Sequence, residues 1–354
     1  MLYQTENQHG GDVYGGGITL DFSANTNPLG TPPGVLEAVC RALPRLHRYP
    51  DPYCRRLVQA ITGHEQVPAS YILCGNGAAD LIYTYCAAPR PRTAVELAPT
   101  FVEYGAGLAQ VGCRVERYFL HQAQNFDLDE RFLSFLEEKK PEVVFLCNPN
   151  NPTGRLIPLP LLEQILQYCA AQGARLFLDE CFLDLTEDGV SAKSLLAAHP
   201  ELLILKAFTK SYGMAGIRLG DCLCADNALL RRMAAASPPW NVSSPAQSAG
   251  VAALAERDFL QRTLSLVHTE RRWLTDNLTA LGFWVCPSHA NYLLFRGPLG
   301  LREGLLQQGI AIRGCGNYNG LGDGWYRIAV RPHGENEALI TAIRQFCKEK
   351  SLWQ

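Results

Sequence analysis

The chain lacks the marks of several large protein classes. No run of 18 residues is both apolar and free of charge, which argues against a membrane span. Basic residues are not in excess: 32 Lys and Arg stand against 34 Asp and Glu, a net charge of -2, so the footprint of a nucleic-acid binder is missing. There is no internal repeat or low-complexity linker, and 47% apolar with 19% charged residues lies outside the range of disordered chains. No CxxC pair and no His/Cys cluster at zinc spacing occurs, although there are 13 cysteines. They are scattered through apolar segments, as at Cys147 and Cys169, and only Cys222 and Cys224 are close. An odd, scattered set reads as buried thiols of a reducing compartment, the cytoplasm, without a disulfide framework. The start, MLYQTENQHGGDVYGGG, is polar and glycine-rich and carries no basic-plus-apolar leader.

What is present is a 354-residue globular chain, roughly two domains at about 150 residues each. Residues 1–30 have little periodicity and read as an arm that packs nowhere. Helical patterns follow at 33–42, 54–62 and 78–87, with a turn-rich RYPDPY loop at 48–53. Apolar runs of strand length fall at 71–74, 94–97, 115–119, 143–147, 176–179 and 202–206, with helical patterns such as 160–172 between several of them. Short apolar strands alternating with helices predict a mainly parallel sheet covered on both faces. Residues 247–280 read as one long helical region. Strands at 283–285, 292–295 and 325–330 and helices at 299–308 and 335–350 predict a smaller α+β tail. The division is an arm over 1–30, a large domain over 31–245 and a small one over 246–354.

Four segments carry chemistry. Lys210 sits in AFTKSYGMAGIRLG, just past the strand that ends at Lys206, where open sheets place ligands. A buried or cation-flanked lysine has a lowered pKa and bonds carbonyl carbons, and Arg218 eight residues on offers a phosphate fork. The same residues also fit a plain surface turn. Asp179 ends the strand LFLDE; it suits a protonated pyridine nitrogen, a metal or a capping role. CNPNNPTG at 147–154 is a rigid loop with two Asn-Pro steps, either a fixed amide donor or a simple turn. Gly75-Asn76-Gly77-Ala78 precedes a helix and leaves backbone N–H groups for a phosphate, without P-loop or GxGxxG spacing.

Together, in this order and spacing, the segments resemble the fold-type I pyridoxal-phosphate enzymes of the aspartate aminotransferase superfamily, over nearly the whole chain. The resemblance implies an α/β protein of the PLP-dependent transferase fold, its large domain built on a mainly parallel seven-stranded sheet. It implies pyridoxal 5'-phosphate as cofactor, Lys210 as the lysine that anchors it and shuttles the proton, and Asp179 as partner of the pyridine nitrogen. Asn151 resembles the donor to the 3-oxygen. Thr209, Arg218 and the backbone of Gly77 and Ala78 resemble the phosphate cup. Phe101 resembles the aromatic stacked on the ring, with Tyr104 next in line. Tyr49 of RYPD resembles the residue lent across a homodimer to the neighbour's cofactor, so shared active sites are implied. Arg327 of YRIAV resembles the arginine that grips the substrate carboxylate.

Two positions depart from the common pattern. Ala207 stands where many relatives have a hydroxyl three residues before the lysine, and Phe182 stands where many aminotransferases have tyrosine three residues after the aspartate. Phenylalanine there resembles the threonine-phosphate decarboxylase branch, as do His9-Gly10-Gly11, LDFSANTNPLG, VPASYILCGNG, ANYLLFR and YRIAVRP. That branch implies decarboxylation of L-threonine O-3-phosphate for cobalamin biosynthesis, a lid role for His9, and a substrate grip drawn from His9, Asn25, Arg327 and Arg331. The alternatives are an aminotransferase for histidinol phosphate or a related phosphorylated amine, and a decarboxylase for O-phosphoserine. The expected partners are a small phosphorylated amino acid and a second copy of the chain, with neither nucleic acid nor membrane.

Overall fold

A computed structural model describes residues 9–350. The opening residues of the arm expected over 1–30 therefore lie outside the described residues. In chain order the first half runs β1 (Leu20–Asp21), α1 (Pro33–Ala42), α2 (Arg55–Glu65), β2 (Ile72–Gly75), α3 (Ala78–Ala87), β3 (Thr93–Ala98), α4 (Glu103–Gln110), β4 (Arg114–Phe119), α5 (Arg131–Lys139), β5 (Val143–Cys147) and α6 (Leu159–Gln172). It continues with β6 (Arg175–Asp179), β7 (Leu202–Ala207), α7 (Phe208–Ser211), β8 (Gly220–Cys224), α8 (Asn227–Ala236), α9 (Ser244–Ala253) and α10 (Phe259–Ala280). The tail holds β9 (Trp284–Val285), β10 (Tyr292–Arg296), α11 (Leu301–Gln307), β11 (Ile310–Ala311), β12 (Arg313–Gly314), β13 (Trp325–Ala329) and α12 (His333–Glu349).

Seven strands form the main sheet in the order β2-β8-β7-β6-β5-β3-β4. Only β8 runs against the rest, antiparallel to β7 and to β2. The run VVFLC of β5 is buried throughout, as a sheet covered on both faces requires. α6 begins with Pro160 in its first turn and stops at Gly173, whose φ of 67° supplies the left-handed cap. A four-stranded antiparallel sheet, β12-β13-β10-β9, forms the second core with α10, α11 and α12. Among the described residues no helix is long and apolar enough to cross a membrane. All thirteen cysteines are free thiols, and Cys40 is exposed where the sequence reading buries them.

Three expectations change. The arm is not loose from Thr19 onward: β1 pairs parallel with β11, Phe22 N–H donates to Ala311, and Phe22 itself is fully buried in the second core. That burial is worth about 2–3 kcal/mol, which periodicity over so short a strand does not reveal. The helix expected over 247–280 is two helices, because α9 lays small residues on α1 and α2 while α10 runs to the second core. β8 was missing from the sequence reading because Asp221 interrupts its apolar run; in the sheet Asp221 stands opposite Lys206.

Beneath the edge of β7 lies a buried ion cluster. Lys206 Nζ is 2.8 Å from Glu65 Oε1 and 3.3 Å from Asp184 Oδ1, and Lys193 Nζ lies 2.9 Å from Glu65 Oε2. Burial would raise the Glu65 carboxyl, but the charge and hydrogen bond of Lys206, then those of Lys193, bring it down from 4.5 to about 2. A carboxyl depressed in the folded state contributes stability that is present above its unfolded pKa and lost as pH falls through the folded one. Glu65→Gln is therefore expected to lower stability at pH 7 by about 2–4 kcal/mol. The gap between it and the parent protein should close between pH 4.5 and about 2, read from urea midpoints across pH. A gap constant over that window would contradict the assignment.

Candidate active site

The C-terminal ends of β5, β6 and β7 open onto a cavity of about 390 Å³. Position in a parallel sheet selects these residues, since the loops leaving neighbouring strands converge at that edge. The loop after β5 divides its asparagines. Asn148 Oδ1 accepts from Ile157 N–H at 2.9 Å, while Asn150 donates to Pro99 O and Thr153 Oγ1 and accepts from Thr100. Both are spent on the loop itself. Asn151 alone of the three lines the cavity, and its Oδ1 accepts from Arg327 Nη1 at 2.5 Å, so its NH2 is the end left to donate.

Asp179, at the end of β6, is held by the N–H of Cys181 at 2.8 Å and the hydroxyl of Tyr104 at 2.5 Å. Burial pushes its carboxyl up, and those hydrogen bonds and Lys210 offset only part of the rise. A buried carboxylate in that condition calls for a cationic partner in the cavity. Tyr104 thus supports Asp179 rather than stacking on a ligand, while Phe101 lines the cavity, as do Phe182 and Tyr318.

Lys210 follows β7 within α7. Burial, then the charges of Arg327 and Arg218, push its amine down to about 8. The turn that carries it is clamped by a residue the sequence reading did not single out: Asn27 N–H donates to Lys210 O at 3.1 Å, and Asn27 Nδ2 donates to Ser211 O at 2.7 Å. On one side of the cavity lie Ala78, Thr209 and Arg218. Gly77, with φ 85°, caps α3, and a Cβ there would stand 2.8 Å from Arg218 Nη2. The N-terminal backbone of α3 and the Arg218 guanidinium thus face each other as a cradle suited to an anion, at a φ that only glycine adopts readily. Ala207 also lines the cavity, so the hydroxyl missing there is missing from the cradle wall.

Arg327, Asn25 and His9 line the other side. Arg327 Nη2 donates to Ser23 O at 2.9 Å; its Nε and both polar side-chain atoms of Asn25 are buried without a partner among the described residues. Orphaned groups of this kind fit a polar ligand. Arg313 and Tyr318, absent from the sequence reading, belong to this wall, as does Glu103. Arg313 is the direct antiparallel partner of Arg327 across β12 and β13. Its strand is two residues long, which gives no apolar period to detect. Two expected residues lie elsewhere. Arg331 falls beyond the end of β13, outside the cavity lining, and its Nε donates to Glu335 on α12 at 2.9 Å. Tyr49 is 76% exposed, stacked on Trp240 at 4.4 Å, and does not line the cavity of its own chain. The donors present fit pyridoxal phosphate: a carboxylate needing a cation, an amide donor, a reactive amine and an anion cradle.

Comparison with known proteins agrees with this geometry. The family described as aminotransferase class I and II matches residues 18–346. A threonine-phosphate decarboxylase of Salmonella typhimurium is 40% identical, covering 92% of this chain and 90% of its own. A histidinol-phosphate aminotransferase of Geobacillus is 32% identical, covering 96% and 93%. The solved structure of the histidinol-phosphate aminotransferase of Clostridium acetobutylicum superposes with a TM-score of 0.87 at 27% identity, over 93% of this chain and 99% of that one.

The cradle gives a direct test. Gly77→Ala places a methyl group against Arg218 and strains a positive φ, so retention of pyridoxal phosphate should weaken by about tenfold or more. Titration of the bound-cofactor absorbance measures it; unchanged affinity would show that the cradle does not hold the phosphate.

Proposed function

The chain belongs to the class I and II aminotransferases, and on that premise we propose that it binds pyridoxal 5'-phosphate and decarboxylates L-threonine O-3-phosphate. The products are (R)-1-amino-2-propanol O-2-phosphate and carbon dioxide, a step of cobalamin biosynthesis in the cytoplasm. The observation that carries the substrate class is the pair Arg313 and Arg327, set opposite each other on adjacent strands. Like charges in direct cross-strand register repel, and an anion between them relieves the repulsion. Similarity to the Salmonella typhimurium decarboxylase supports the reaction, and Phe182 at the position discussed above agrees with it.

When bound, pyridoxal phosphate supplies a carbonyl for the substrate amine and a ring that accepts the electrons of a bond broken at Cα. Lys210, its amine pushed down to about 8 and so partly unprotonated at neutral pH, would be the residue that anchors the group. With substrate bound, the same amine, protonated, would deliver to Cα the proton that takes the place of the departing carbon dioxide. Asp179, fixed by Tyr104 and Cys181, keeps a proton on the ring nitrogen, and the Asn151 NH2 donates to the ring oxygen. Arg218, Thr209 and the N–H of Ala78 take the cofactor phosphate. Arg313, Arg327, Asn25 and His9 take the substrate's phosphate and carboxylate. Holding a dianion at one end fixes which bond at Cα stands perpendicular to the ring, so binding energy is converted into bond choice.

The active unit is a homodimer in which Tyr49 completes the neighbour's site. Tyr49, Tyr53, Trp240, Leu43 and Leu46 are large apolar side chains left exposed around one loop, a surface suited to a second copy.

Two assays test the reading. With threonine phosphate the loaded enzyme should release carbon dioxide without a keto-acid acceptor. Free threonine should be poorer by about 10²-fold or more in kcat/KM, since it lacks the charge-assisted contacts. Amino transfer from histidinol phosphate to 2-oxoglutarate, with no carbon dioxide from threonine phosphate, would make the chain an aminotransferase; preference for O-phosphoserine would change the substrate alone. For the shared site, inactive Tyr49→Ala and Lys210→Ala subunits should on exchange regain about a quarter of full activity, because half the dimers hold one intact site. Verified heterodimers without activity would remove Tyr49 from the site.

A further inference from the structure

A carboxylate in a cavity that receives a phosphate dianion is out of place by charge. Among the described residues lining the cavity the acidic ones are Asp179 and Glu103, and Asp179 has its use. Glu103 opens α4 and has both oxygens engaged. Its Oε1 lies 2.7 Å from His9 Nε2, and its Oε2 accepts from the Tyr83 hydroxyl at 2.5 Å. A carboxylate only accepts, so the first contact puts a proton on His9 Nε2. The hydrogen bond from His9, against some burial, holds the Glu103 carboxyl below its ordinary range. Burial and Glu103 push the Tyr83 hydroxyl up to about 12, so it stays a donor.

The residues after His9 are built to lie close against the second core. A Cβ on Gly10 would come within 2.2 Å of Ser23 O, and Gly11, with φ 87°, donates its N–H to Ser23 Oγ at 2.8 Å. Ser23 O in turn accepts from Arg327. His9 also rests on Phe101, with ring centres 5.9 Å apart. The segment therefore lines the cavity, tied through Ser23 toward Arg327 at one end and to α4 at the other, where Glu103 is its attachment. We propose that Glu103 is a positioning residue that acts through His9, latching the His9-Gly10-Gly11 segment across the mouth of the cavity. The carboxylate's charge is then spent on His9 and Tyr83 and does not face the substrate.

The latch itself is independent of the reaction; only its kinetic readout rests on the function proposed above. Glu103→Gln keeps the side-chain size and an acceptor for Tyr83, so the fold is not at stake. In the protein loaded with cofactor, amide hydrogen exchange of a peptide covering residues 9–12 should rise about tenfold in E103Q, as expected when one charge-assisted hydrogen bond is lost. Exchange in β5 to β7 should stay the same. In a double-mutant cycle on kcat/KM for threonine phosphate, E103Q should cost about tenfold in the parent and less than about twofold in the H9A background. Unchanged arm exchange, or equal losses in both backgrounds, overturns the proposal. If the parent enzyme releases no carbon dioxide from threonine phosphate, the reaction reading has failed. The latch is then judged by the exchange experiment and by the same cycle on histidinol phosphate.

Discussion

One buried lysine decides where another can stand. Lys206 is the next to last residue of β7, and its ammonium would cost several kcal/mol to bury without the carboxylates of Glu65 and Asp184. Asp184 uses its second oxygen to accept from Ser211 Oγ at 2.9 Å, one residue past Lys210. From the other side Asn27 binds the backbone of Lys210 and Ser211. The short turn α7 is thus pinned on two faces. Although burial opposes charge on both lysines, they respond in opposite directions. Asp184, Glu65 and Glu180 push Lys206 well above its ordinary value, whereas burial with Arg327 and Arg218 nearby pushes Lys210 down to about 8. Four residues apart, one amine is a permanent structural cation and the other a nucleophile.

The cavity extends that contrast. Its reactive amine sits between two arginine regions, the Gly77–Arg218 cradle on one side and the Arg313–Arg327 pair on the other. Two arginines stand opposite each other across adjacent strands, and burial, with Arg327 adding to it, pushes the Arg313 guanidinium down. On the function proposed above, one region would take the cofactor phosphate and the other the substrate's anionic groups.

Segments whose chemistry is local were legible in the sequence. Asp179 closes an apolar strand and Lys210 stands three residues past one, so a strand boundary and a residue type were enough to place them at the sheet edge. What local sequence alone could not settle was decided by the other half of the chain. Nothing in CNPNNPTG tells Asn151 from Asn148 and Asn150; the contacts of Thr100, Pro99 and Ile157 do. Arg313 depends on a two-residue strand whose register only β13 defines. Arg331 was expected beside Arg327 from the branch resemblance of YRIAVRP, but β13 ends at Ala329 and the chain turns into α12 first. Asp221 hid β8 because the strands that bury it and pair with it, β2 and β7, lie earlier in the chain.

Phe182 and Ala207 take on meaning in this frame. Phe182 packs edge-on against Tyr292, with ring centres 5.0 Å apart, and Lys210 Nζ lies 5.6 Å over its ring. A hydroxyl on that ring would compete with Asn151 for the same oxygen of a bound ring; without it, Asn151 is the side-chain donor, and its orientation is fixed by Arg327. The same arginine also binds Ser23, beside the segment that carries His9. Arg327 is therefore hydrogen-bonded both to Asn151 and to Ser23, whose hydroxyl accepts from Gly11 N–H in the segment that carries His9. On the function proposed above, an anion held by Arg327 would therefore act on both, a physical route by which a phosphate several bonds from Cα would select the bond that breaks there.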